Sequence, residues 1–444
     1  MLTRLRLERF KSFLDAELSL GPLTLLVGTN ASGKSNIRDA LRFLHGVSQG
    51  YSLADILGEK YTEGGQLQWA GIRGGTREVA YQGARTFALE VSFTYEGENE
   101  DESAVEPHPV PMNGFEREAS YRIEVDAGQT GRSPRVVKER LVSEGRYLFD
   151  SHPDADTPTQ PDPRLLYVRQ RRTGTAGRLP TSSFSSHQPV LSQIVSHAKA
   201  PSVVKSSARQ AMAALGSMRF LDLTLDAMRR PSLPGQTVLG DRGENLSSVL
   251  QQICEEPHRK QALLQWIQEL TPMDAKDFEF PVDLTGRILV RLIEEGEQTI
   301  SANSASDGTL RFLAMTAAML GPEVGRFYFF EELENGIHPA RLYLLLQLIE
   351  QQVRKGQTQV VATTHSPQLL SLLSKGSLEF ASLTYRLEGE HDTQIRRILD
   401  IPEARRVIQS QDIARLHESG WLEDAVAFLA DQDSELRADT EATL

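Results

Sequence analysis

Apolar and polar positions alternate at the start of the chain and then give way to a solid apolar run. Residues 3–10 and 14–20 alternate with a period of two, which predicts two strands with one buried face. Residues 23–27 (LTLLV) are almost wholly apolar and predict a buried strand. A glycine-containing loop follows, and the apolar spacing predicts a helix from about residue 34 to 45. The chain therefore opens with strand, loop and helix.

The middle of the chain changes from strand to helix periodicity. Residues 86–95 and 120–125 alternate with a period of two, and residues 135–149 are a third candidate strand, so a peripheral antiparallel sheet is expected. The segments 96–114 and 150–163 are acidic and proline-rich, which indicates exposed loops. From about residue 190 to 270 apolar residues recur at spacings of three and four, which predicts a helical insertion.

Strand and helix patterns alternate in the last third of the chain, as a parallel sheet requires. Strands are predicted at 287–295, 325–330 and 359–363, and helices at 309–320, 339–355 and 367–373. The residues after about 400 indicate a charged helical tail. We therefore divide the chain into a first lobe (residues 1–185), a helical insertion (186–285), a second lobe (286–400) and a C-terminal helical tail (401–444).

Composition narrows the class of protein. Hydrophobic residues make up 39% and charged residues 24% of the chain, which indicates a globular protein rather than a disordered or fibrous one. No run approaches the roughly 18 apolar residues that would span a bilayer, so no membrane segment is expected. The single cysteine, Cys254, cannot form an internal disulfide; this is typical of a reducing compartment, and we expect a cytoplasmic protein. The net charge of −12 argues against general coating of nucleic acid, although it allows a local basic groove.

The loop after the first apolar run has the composition of a phosphate-binding loop. The segment GTNASGKS fits the pattern G-x-x-x-x-G-K-[ST] in full. Its glycines allow successive backbone N–H groups to face phosphate oxygens, Lys34 supplies a positive charge to the β and γ oxygens, and the Ser35 hydroxyl can ligate Mg²⁺. The candidate nucleotide-binding residues in and after this loop are Gly28, Asn30, Ala31, Ser32, Gly33, Lys34, Ser35 and Asn36.

An apolar strand followed by two glutamates forms a second candidate motif. The segment RFYFFEELENGIHP has the shape of a Walker B strand. A carboxylate at the tip of such a strand meets the Mg²⁺ of the phosphate loop, and a second one beside it can activate a water molecule. We assign Glu331 to the metal and Glu332 to the base. Aspartate is usual at the first position, so Glu331 is a departure, and the alternative is an acidic helix N-terminus stabilised by the helix dipole.

Two further polar segments have both a structural and a functional interpretation. Residues 306–308 (SDG) precede an apolar helix whose first N–H groups can bind an anion, but Ser306 as a plain N-cap would look the same. His365 ends the strand in VVATTHSP, and a lone histidine is more often a packed or surface residue than a functional one. Their order along the chain, relative to the phosphate loop and the Walker B strand, favours a common site.

This order of motifs resembles the ABC-type ATPases of the SMC/RecF-like branch, and within it the compact AAA family ATPase domains also found in OLD-family proteins. The resemblance rests on FKSF ahead of the phosphate loop, GKSN, SDGTLR as a divergent signature, EELENGIHP as Walker B with the following D-loop, and TTHSP as the switch histidine. These motifs cover the first 45 residues and about 300–370. The resemblance implies an α/β fold: an ABC/SMC-head-type P-loop NTPase with a mixed sheet core, a peripheral antiparallel β sheet and a helical insertion.

The resemblance also implies roles for individual residues. The signature residues Ser306, Asp307 and Gly308 would bind the γ-phosphate held by another subunit, so that ATP with Mg²⁺ lies between the two chains of a homodimer. His365 would sense the γ-phosphate. The residues that would lie near adenine and ribose are Lys11 and Ser12. The family's Q-loop glutamine has three candidates: Gln170, Gln188 and Gln193.

By this resemblance the chain is an ATPase that cleaves the β–γ phosphoanhydride and dimerises around ATP. The switch would gate DNA or a partner effector, such as a separately encoded nuclease or toxin, in DNA repair or antiviral defence. Two alternatives are a nucleotide-binding subunit of a membrane transporter, which the helical insertion and the missing LSGGQ disfavour, and an ATP-binding scaffold without turnover, which Glu331 suggests.

Three further features concern a nuclease domain, the choice of nucleotide and contact with nucleic acid. The pattern of a Toprim nuclease is missing after His365, so we expect a chain that is OLD-like but lacks that domain. A guanine-reading Asn-Lys-x-Asp motif is also missing, which favours ATP over GTP. The basic run at 169–178 (RQRRTGTAGR) has two interpretations, a contact to the nucleic-acid backbone or a solvated loop.

Overall fold

A computed structural model of the protein describes residues 1–96, 116–128, 131–151, 162–171, 181–270, 275–296, 298–366, 369–387, 389–401 and 428. Packing of the backbone divides the chain into two compact units. The first unit consists of Met1–Leu20, Ser35–Ser217 and Glu388–Ile395. The second consists of Gly21–Lys34, Met218–Leu387 and Arg396–Leu444.

The strands in chain order are β1 Leu2–Phe10, β2 Phe13–Ser19, β3 Leu23–Val27, β4 Lys60–Tyr61, β5 Leu67–Trp69, β6 Thr86–Glu96, β7 Glu116–Asp126, β8 Arg135–Ser143, β9 Arg146–Asp150, β10 Leu165–Gln170, β11 Thr181–Ser185, β12 Met218–Leu221, β13 Ala275–Glu279, β14 Arg291–Glu294, β15 Thr299–Ser301, β16 Phe327–Phe330, β17 Gln359–Thr364, β18 Ala381–Arg386 and β19 Thr393–Arg397. The helices are α1 Lys34–Ser48, α2 Leu53–Leu57, α3 Gly75–Glu78, α4 Val190–Ser196, α5 Ser202–Gly216, α6 Leu225–Met228, α7 Leu246–Glu255, α8 Pro257–Leu270, α9 Asp307–Leu320, α10 Pro339–Val353, α11 Leu369–Leu372 and α12 Lys375–Leu378.

An eight-stranded sheet dominates the first unit, in the order β11-β10-β9-β8-β7-β6-β1-β2, and its paired neighbours are antiparallel. Successive side chains of a strand point to opposite faces of the sheet, and one face packs into the core. Leu7, Leu89 and Ile123 lie on that face and are fully buried. Charged residues on the same strands form ion pairs, such as the bidentate pair of Arg122 with Glu8 at 2.6 and 2.7 Å. The predicted peripheral antiparallel sheet is therefore confirmed.

The sheet is larger than the sequence pattern predicts. The interpretation of residues 135–149 as one strand is wrong, because the segment folds back as the hairpin of β8 and β9. The turn between them places Glu144 at φ 50° and Gly145 at φ 71°, and two consecutive positive φ values are typical of a two-residue hairpin turn. Strands β10 and β11 were not predicted. Polar residues dominate β11 (TSSFS), so it carries no apolar alternation.

The second unit contains five neighbouring strands of one sheet, in the order β12-β16-β17-β3-β18. From β12 to β18 each neighbouring pair is parallel. Every residue of β3, β16 and β17 is buried, as expected for central strands covered on both faces. The apolar helix α9 and helix α10 supply much of the surrounding core, including Leu313, Leu345 and Ile349. Parallel strands and covering helices confirm the predicted α/β P-loop NTPase fold.

The helices predicted at 186–285 fall into both units. Helices α4 and α5 belong to the first unit, and α6, α7 and α8 belong to the second. The short strand β12 (MRFL) lies between the two groups and was not predicted. The division into four segments stays a prediction. Most of the predicted acidic loops and of the tail after residue 400 lies outside the described residues.

Candidate nucleotide site

The phosphate loop follows β3 in the second unit and ends at Lys34, the first residue of α1, as predicted. Gly28 has no room for a side chain, since a Cβ there would lie 2.3 Å from the Thr384 carbonyl oxygen and 2.6 Å from Ser32 Oγ. The Ser32 hydroxyl is hydrogen-bonded to Thr384 Oγ1 at 2.9 Å, which fastens the loop to β18. The loop also uses positive φ at Ala31 (62°) and Gly33 (95°).

The start of α1 is suited to a phosphate group. Its first turn contains no acidic residue, so the partial positive charge of the helix N-terminus is not neutralised there. A tight glycine turn, a helix N-terminus and a lysine are the donor set that holds nucleotide phosphates. The local residues therefore fit ATP.

Lys34 lies over this loop and is only 6% exposed. Its Nζ donates to the carbonyl oxygens of Gly28 at 2.6 Å and Thr29 at 2.8 Å, and a third contact reaches His365 Nδ1 at 3.2 Å. Burial lowers the pKa of Lys34 to about 8, although the charges of Glu334 and Glu332 act in the opposite direction. A phosphate would offer the ammonium group a better partner than neutral carbonyl oxygens.

Glu332 is held in an unusual backbone conformation just after β16. Its φ is 49°, which is uncommon for a residue with a side chain and costs on the order of 1 kcal/mol. Its backbone N–H donates to Thr363 Oγ1 at 2.9 Å. Its carboxylate is contacted on both oxygens, by Asn335 Nδ2 at 3.2 Å and by His365 Nε2 at 3.4 Å. The carboxylate is nevertheless half exposed (49%), so a water molecule can reach it.

His365 connects the phosphate loop with the Walker B glutamate. With a proton on Nε2, the imidazole donates to Glu332 while Nδ1 accepts from Lys34. With a proton on Nδ1, it donates to the Gly28 carbonyl oxygen at 3.0 Å instead. Either tautomer keeps the ring between these groups. The structure thus brings together Lys34, Glu332 and His365, all of which were chosen from the sequence.

Glu331 precedes this group and is half-buried. No cluster of three or more His, Cys, Asp or Glu side chains able to hold a metal occurs among the described residues. Mg²⁺ prefers oxygen ligands, and Ser35 offers a hydroxyl oxygen while Glu331 offers a carboxylate. Their metal role stays a prediction.

The signature turn begins α9. Ser306 is its N-cap: the hydroxyl accepts from Thr309 N–H at 3.2 Å and contacts Thr309 Oγ1 at 2.8 Å. Asp307 forms an ion pair with Arg229 at 2.8 Å. Gly308 packs against the turn after the Walker B strand, since a Cβ there would lie 2.4 Å from the Gly336 carbonyl oxygen. The capping interpretation is confirmed, and the γ-phosphate role of these three residues stays a prediction.

Lys11 and Ser12 lie in the first unit. Lys11 Nζ is paired with Asp39 at 2.7 Å and also donates to the Arg73 carbonyl oxygen at 2.6 Å. Ser12 Oγ accepts from Asn36 Nδ2 at 2.8 Å. These contacts give both segments a structural role, and their contact with adenine or ribose stays a prediction.

The three candidate Q-loop glutamines differ in their surroundings. Gln188 donates to the Gly50 carbonyl oxygen at 2.9 Å. Gln193 binds both backbone groups of Ser185, at 2.9 and 3.0 Å. Gln170, the last residue of β10, is fully buried (0% exposed), and neither of its amide atoms has a partner among the described residues. A buried amide without a partner is costly and unusual. Of the three candidates, Gln170 is therefore the one whose amide makes no hydrogen bond to the described part of the chain.

Sequence reasoning missed three residues that support the site. Thr363 holds the backbone of Glu332, Asn335 contacts its carboxylate, and Glu334 accepts from the His365 backbone N–H at 2.7 Å. Glu334 and Asn335 lie within the quoted EELENGIHP segment. Their contacts are made in the turn after Glu332, whose positive φ the residue pattern does not reveal.

We compared the chain with known proteins. No curated protein matches it. Among solved structures, the chain is similar to an SMC head bound to the C-winged helix domain of ScpA (13% identity, 89% of this chain and 97% of that one, TM-score 0.47). It is also similar to the SMC head domain from Thermotoga maritima (13%, 89% and 98%, TM-score 0.39) and to the Smc head with an extended coiled coil bound to the C-terminal domain of ScpA derived from Pyrococcus furiosus (12%, 92% and 98%, TM-score 0.44).

A family match extends over most of the chain, at residues 23–104 and 82–371, and includes the phosphate loop, the signature turn, the Walker B strand and His365. It confirms the resemblance to AAA family ATPase domains that the motifs indicate. The chain belongs to the family described as "AAA domain, putative AbiEii toxin, Type IV TA system".

Proposed function

We propose that the chain hydrolyses ATP and acts as an SMC/RecF-like molecular switch that dimerises around the nucleotide. One observation carries the proposal: the P-loop lysine, the histidine after β17 and the glutamate after β16 are joined by contacts of 3.2 and 3.4 Å. A phosphate-binding cation and a candidate base thus lie on either side of one imidazole. ATP hydrolysis by a P-loop enzyme needs a cation on the phosphates and a group that positions or activates water, and this arrangement supplies a candidate for each.

Each residue of the site has a distinct task in this proposal. Lys34 and the loop N–H groups bind the phosphates, and Ser35 with Glu331 holds Mg²⁺. Mg²⁺ when bound neutralises negative charge on the phosphate oxygens. Glu332 accepts a proton from the attacking water, and His365 orients the Glu332 carboxylate through Nε2. The half-exposed carboxylate of Glu332 is accessible for this role.

A second copy completes the site in this proposal. Its residues Ser306, Asp307 and Gly308 would contact the γ-phosphate at the start of α9, where backbone N–H groups favour an anion. Gln170 is our choice for the Q-loop glutamine, because its buried amide has no partner in the described part of the chain. Closure of the homodimer on ATP and reopening after hydrolysis would make the chain a switch.

The biological role is proposed from the family alone. We infer that the dimer gates DNA or a separately encoded nuclease or toxin, in DNA repair or antiviral defence in the cytoplasm. The family description names a toxin and a TA system, which supports a role in defence. Among the described residues, no helix combines the length and the apolar character needed to cross a membrane.

The decisive experiment for this function is the Glu332→Gln variant. The amide can still contact Asn335 and His365 but cannot accept a proton, so ATP should bind and persist. We expect a dimer by light scattering in ATP and Mg²⁺, and a turnover at least about 100-fold below that of the parent. Glu295→Gln, in an exposed turn, is the control and should behave as the parent.

The alternative of a scaffold without turnover is separated by the same measurements. Glu331 in place of aspartate is the feature that favours it. A scaffold would bind ATP without releasing phosphate, in the parent as well as in Glu332→Gln. Parent-like hydrolysis by Glu332→Gln, with no change in association, would contradict both the base and the switch.

A further inference from the structure

Glu334 joins the turn that follows β16 to the end of β17. Its Oε1 accepts a hydrogen bond from the His365 backbone N–H at 2.7 Å. His365 is the first residue after β17, where the pairing with both neighbouring strands has ended. Its N–H therefore lies beyond the strand pairing, and the Glu334 carboxylate supplies its acceptor in a charge-assisted hydrogen bond.

The position of that backbone determines where the imidazole lies. Nδ1 is 3.2 Å from Lys34 Nζ and 3.0 Å from the Gly28 carbonyl oxygen, while Nε2 is 3.4 Å from Glu332 Oε1. The last distance is near the limit of a hydrogen bond. A small shift at the end of β17 would therefore break the contact to Glu332 first.

Glu334 has two properties that can be separated. One is its reach to the His365 N–H. The other is its negative charge near Lys34, where it is the larger of the two charge effects that oppose the lowering of the lysine pKa. Its second oxygen, Oε2, is buried and has no hydrogen-bond partner in the described part of the chain.

We propose that Glu334 is a positioning residue of the hydrolysis step, which fixes the His365 backbone so that the imidazole holds the Glu332 carboxylate. The inference rests on the proposed function, because it concerns the same site. We expect the role to depend on the length of the side chain rather than on its charge. Only Oε1 makes a hydrogen bond, to the His365 backbone N–H, and Oε2 makes none among the described residues. Asn335 still holds Glu332 from the other side at 3.2 Å, so loss of Glu334 should slow turnover without abolishing it.

Two substitutions separate reach from charge. Glu334→Gln keeps the reach and an acceptor oxygen but removes the charge, whereas Glu334→Asp keeps the charge and is one methylene shorter. We expect Glu334→Asp to lower kcat by about tenfold or more with KM for ATP within about threefold. We expect Glu334→Gln to keep kcat within about threefold of the parent while its KM for ATP rises, since Lys34 loses the larger of the two charges that favour its protonated form. Matched substitutions at the exposed Glu295, to Gln and to Asp, should change neither.

Equal losses of kcat in both variants would overturn the inference, because reach alone would then not explain the role of Glu334. A parent-like kcat in Glu334→Asp would overturn it as well. If Glu334→Asp fails to fold, Glu334→Gln alone decides, since a loss of tenfold or more there contradicts the role of reach.

A spectroscopic measurement keeps this test distinct from that of the proposed function. In protein labelled with ¹⁵N-histidine, the His365 amide proton, assigned by its loss in His365→Asn, should resonate downfield in the parent and in Glu334→Gln and move upfield in Glu334→Asp. If the parent releases no phosphate, the proposed function fails, and the inference fails with it. If the parent hydrolyses ATP and Glu332→Gln does not, an unchanged amide signal and kcat in Glu334→Asp refute the inference alone.

Discussion

Lys34 and His365 lie 331 positions apart in the sequence, and Lys34 Nζ is 3.2 Å from His365 Nδ1. The contact exists because β3 and β17 are adjacent parallel strands, so their carboxyl ends lie at one edge of the sheet. Glu332 reaches the same edge from β16, the parallel neighbour of β17 on its other side. Ligand sites in α/β proteins form at such edges. The order of strands thus gathers three motif residues from distant parts of the chain.

The lowered pKa of Lys34 predicts that ATP binding takes up a proton. In the free chain burial lowers this pKa from 10.5 to about 8. Phosphate favours the charged ammonium, so the pKa must rise on binding. Above about pH 8 the side chain of Lys34 in the free chain is increasingly neutral and must take up a proton when ATP binds. The affinity for ATP should therefore fall as pH rises. Calorimetry at about pH 8.5 in buffers of different ionisation enthalpy should show an uptake between zero and one proton per ATP.

A Lys34→Met variant is the control for this linkage. It should bind ATP at least about tenfold more weakly and lose the buffer-dependent heat. Equal proton uptake in the parent and in Lys34→Met would show that another group is the source.

Gln170 should contribute more to activity than to stability. Its buried amide lacks partners among the described residues, and such a group costs about 1–3 kcal/mol. Gln170→Leu should therefore raise the free energy of unfolding by about 1 kcal/mol, measured with urea, while it lowers ATP turnover by about tenfold or more. Gln188→Leu removes the hydrogen bond to the Gly50 carbonyl oxygen. This variant should have a lower free energy of unfolding and nearly the parent rate of ATP turnover. A stable Gln170→Leu variant with full activity would rule out our choice of Q-loop residue.

Glu139 should make the stability of the first unit depend on pH. It is fully buried and accepts from Tyr121 Oη at 2.9 Å and from the N–H groups of Val190 and Leu191 at 2.7 Å each. Burial raises its pKa from 4.5 to about 7, although the three hydrogen bonds lower it. The Glu139 carboxyl holds its proton more tightly in the folded chain than in the unfolded chain, so its stabilising effect is complete below about pH 4.5. That effect is lost as pH rises through 7, a change of up to about 3 kcal/mol.

The Glu139→Gln variant measures this effect. The amide has no charge to desolvate, so the difference between parent and variant in urea unfolding should change between about pH 5 and 8, in the direction of relatively lower parent stability at high pH. A constant difference over that range would mean that Glu139 does not titrate there.

Much of the fold follows from the apolar pattern, and the exceptions have physical reasons. The strand at 23–27 and the apolar strand before Glu331 were predicted because central parallel strands need solid apolar runs. Strands β11 and β12 were missed because each is short, and β11 is mostly serine and threonine. Their pairing depends on neighbours that are distant in the sequence, which a local pattern does not reveal.

The site divides in the same way. Lys34, Glu332 and His365 follow from motif spacing, because that spacing places Lys34 at the start of the helix after β3 and the other two just after parallel strands. Glu334 and Asn335 do not, because their contacts are made in the turn after Glu332, whose positive φ the residue pattern does not reveal. The choice among three glutamines likewise needed burial and hydrogen bonding rather than spacing.

Mixing two inactive variants tests most directly whether each active site is shared between two copies. Lys34→Ala disables the phosphate loop of its own chain, and Ser306→Arg blocks the signature turn of its own chain. A mixed dimer then has one intact site, made of Lys34 from one copy and Ser306 from the other. Phosphate release should be near zero for each variant alone and recover to about a quarter of the parent rate in an equimolar mixture, since half the dimers are mixed and each has one of two sites. No recovery, with both variants folded and mixed dimers shown to form, would contradict the shared site.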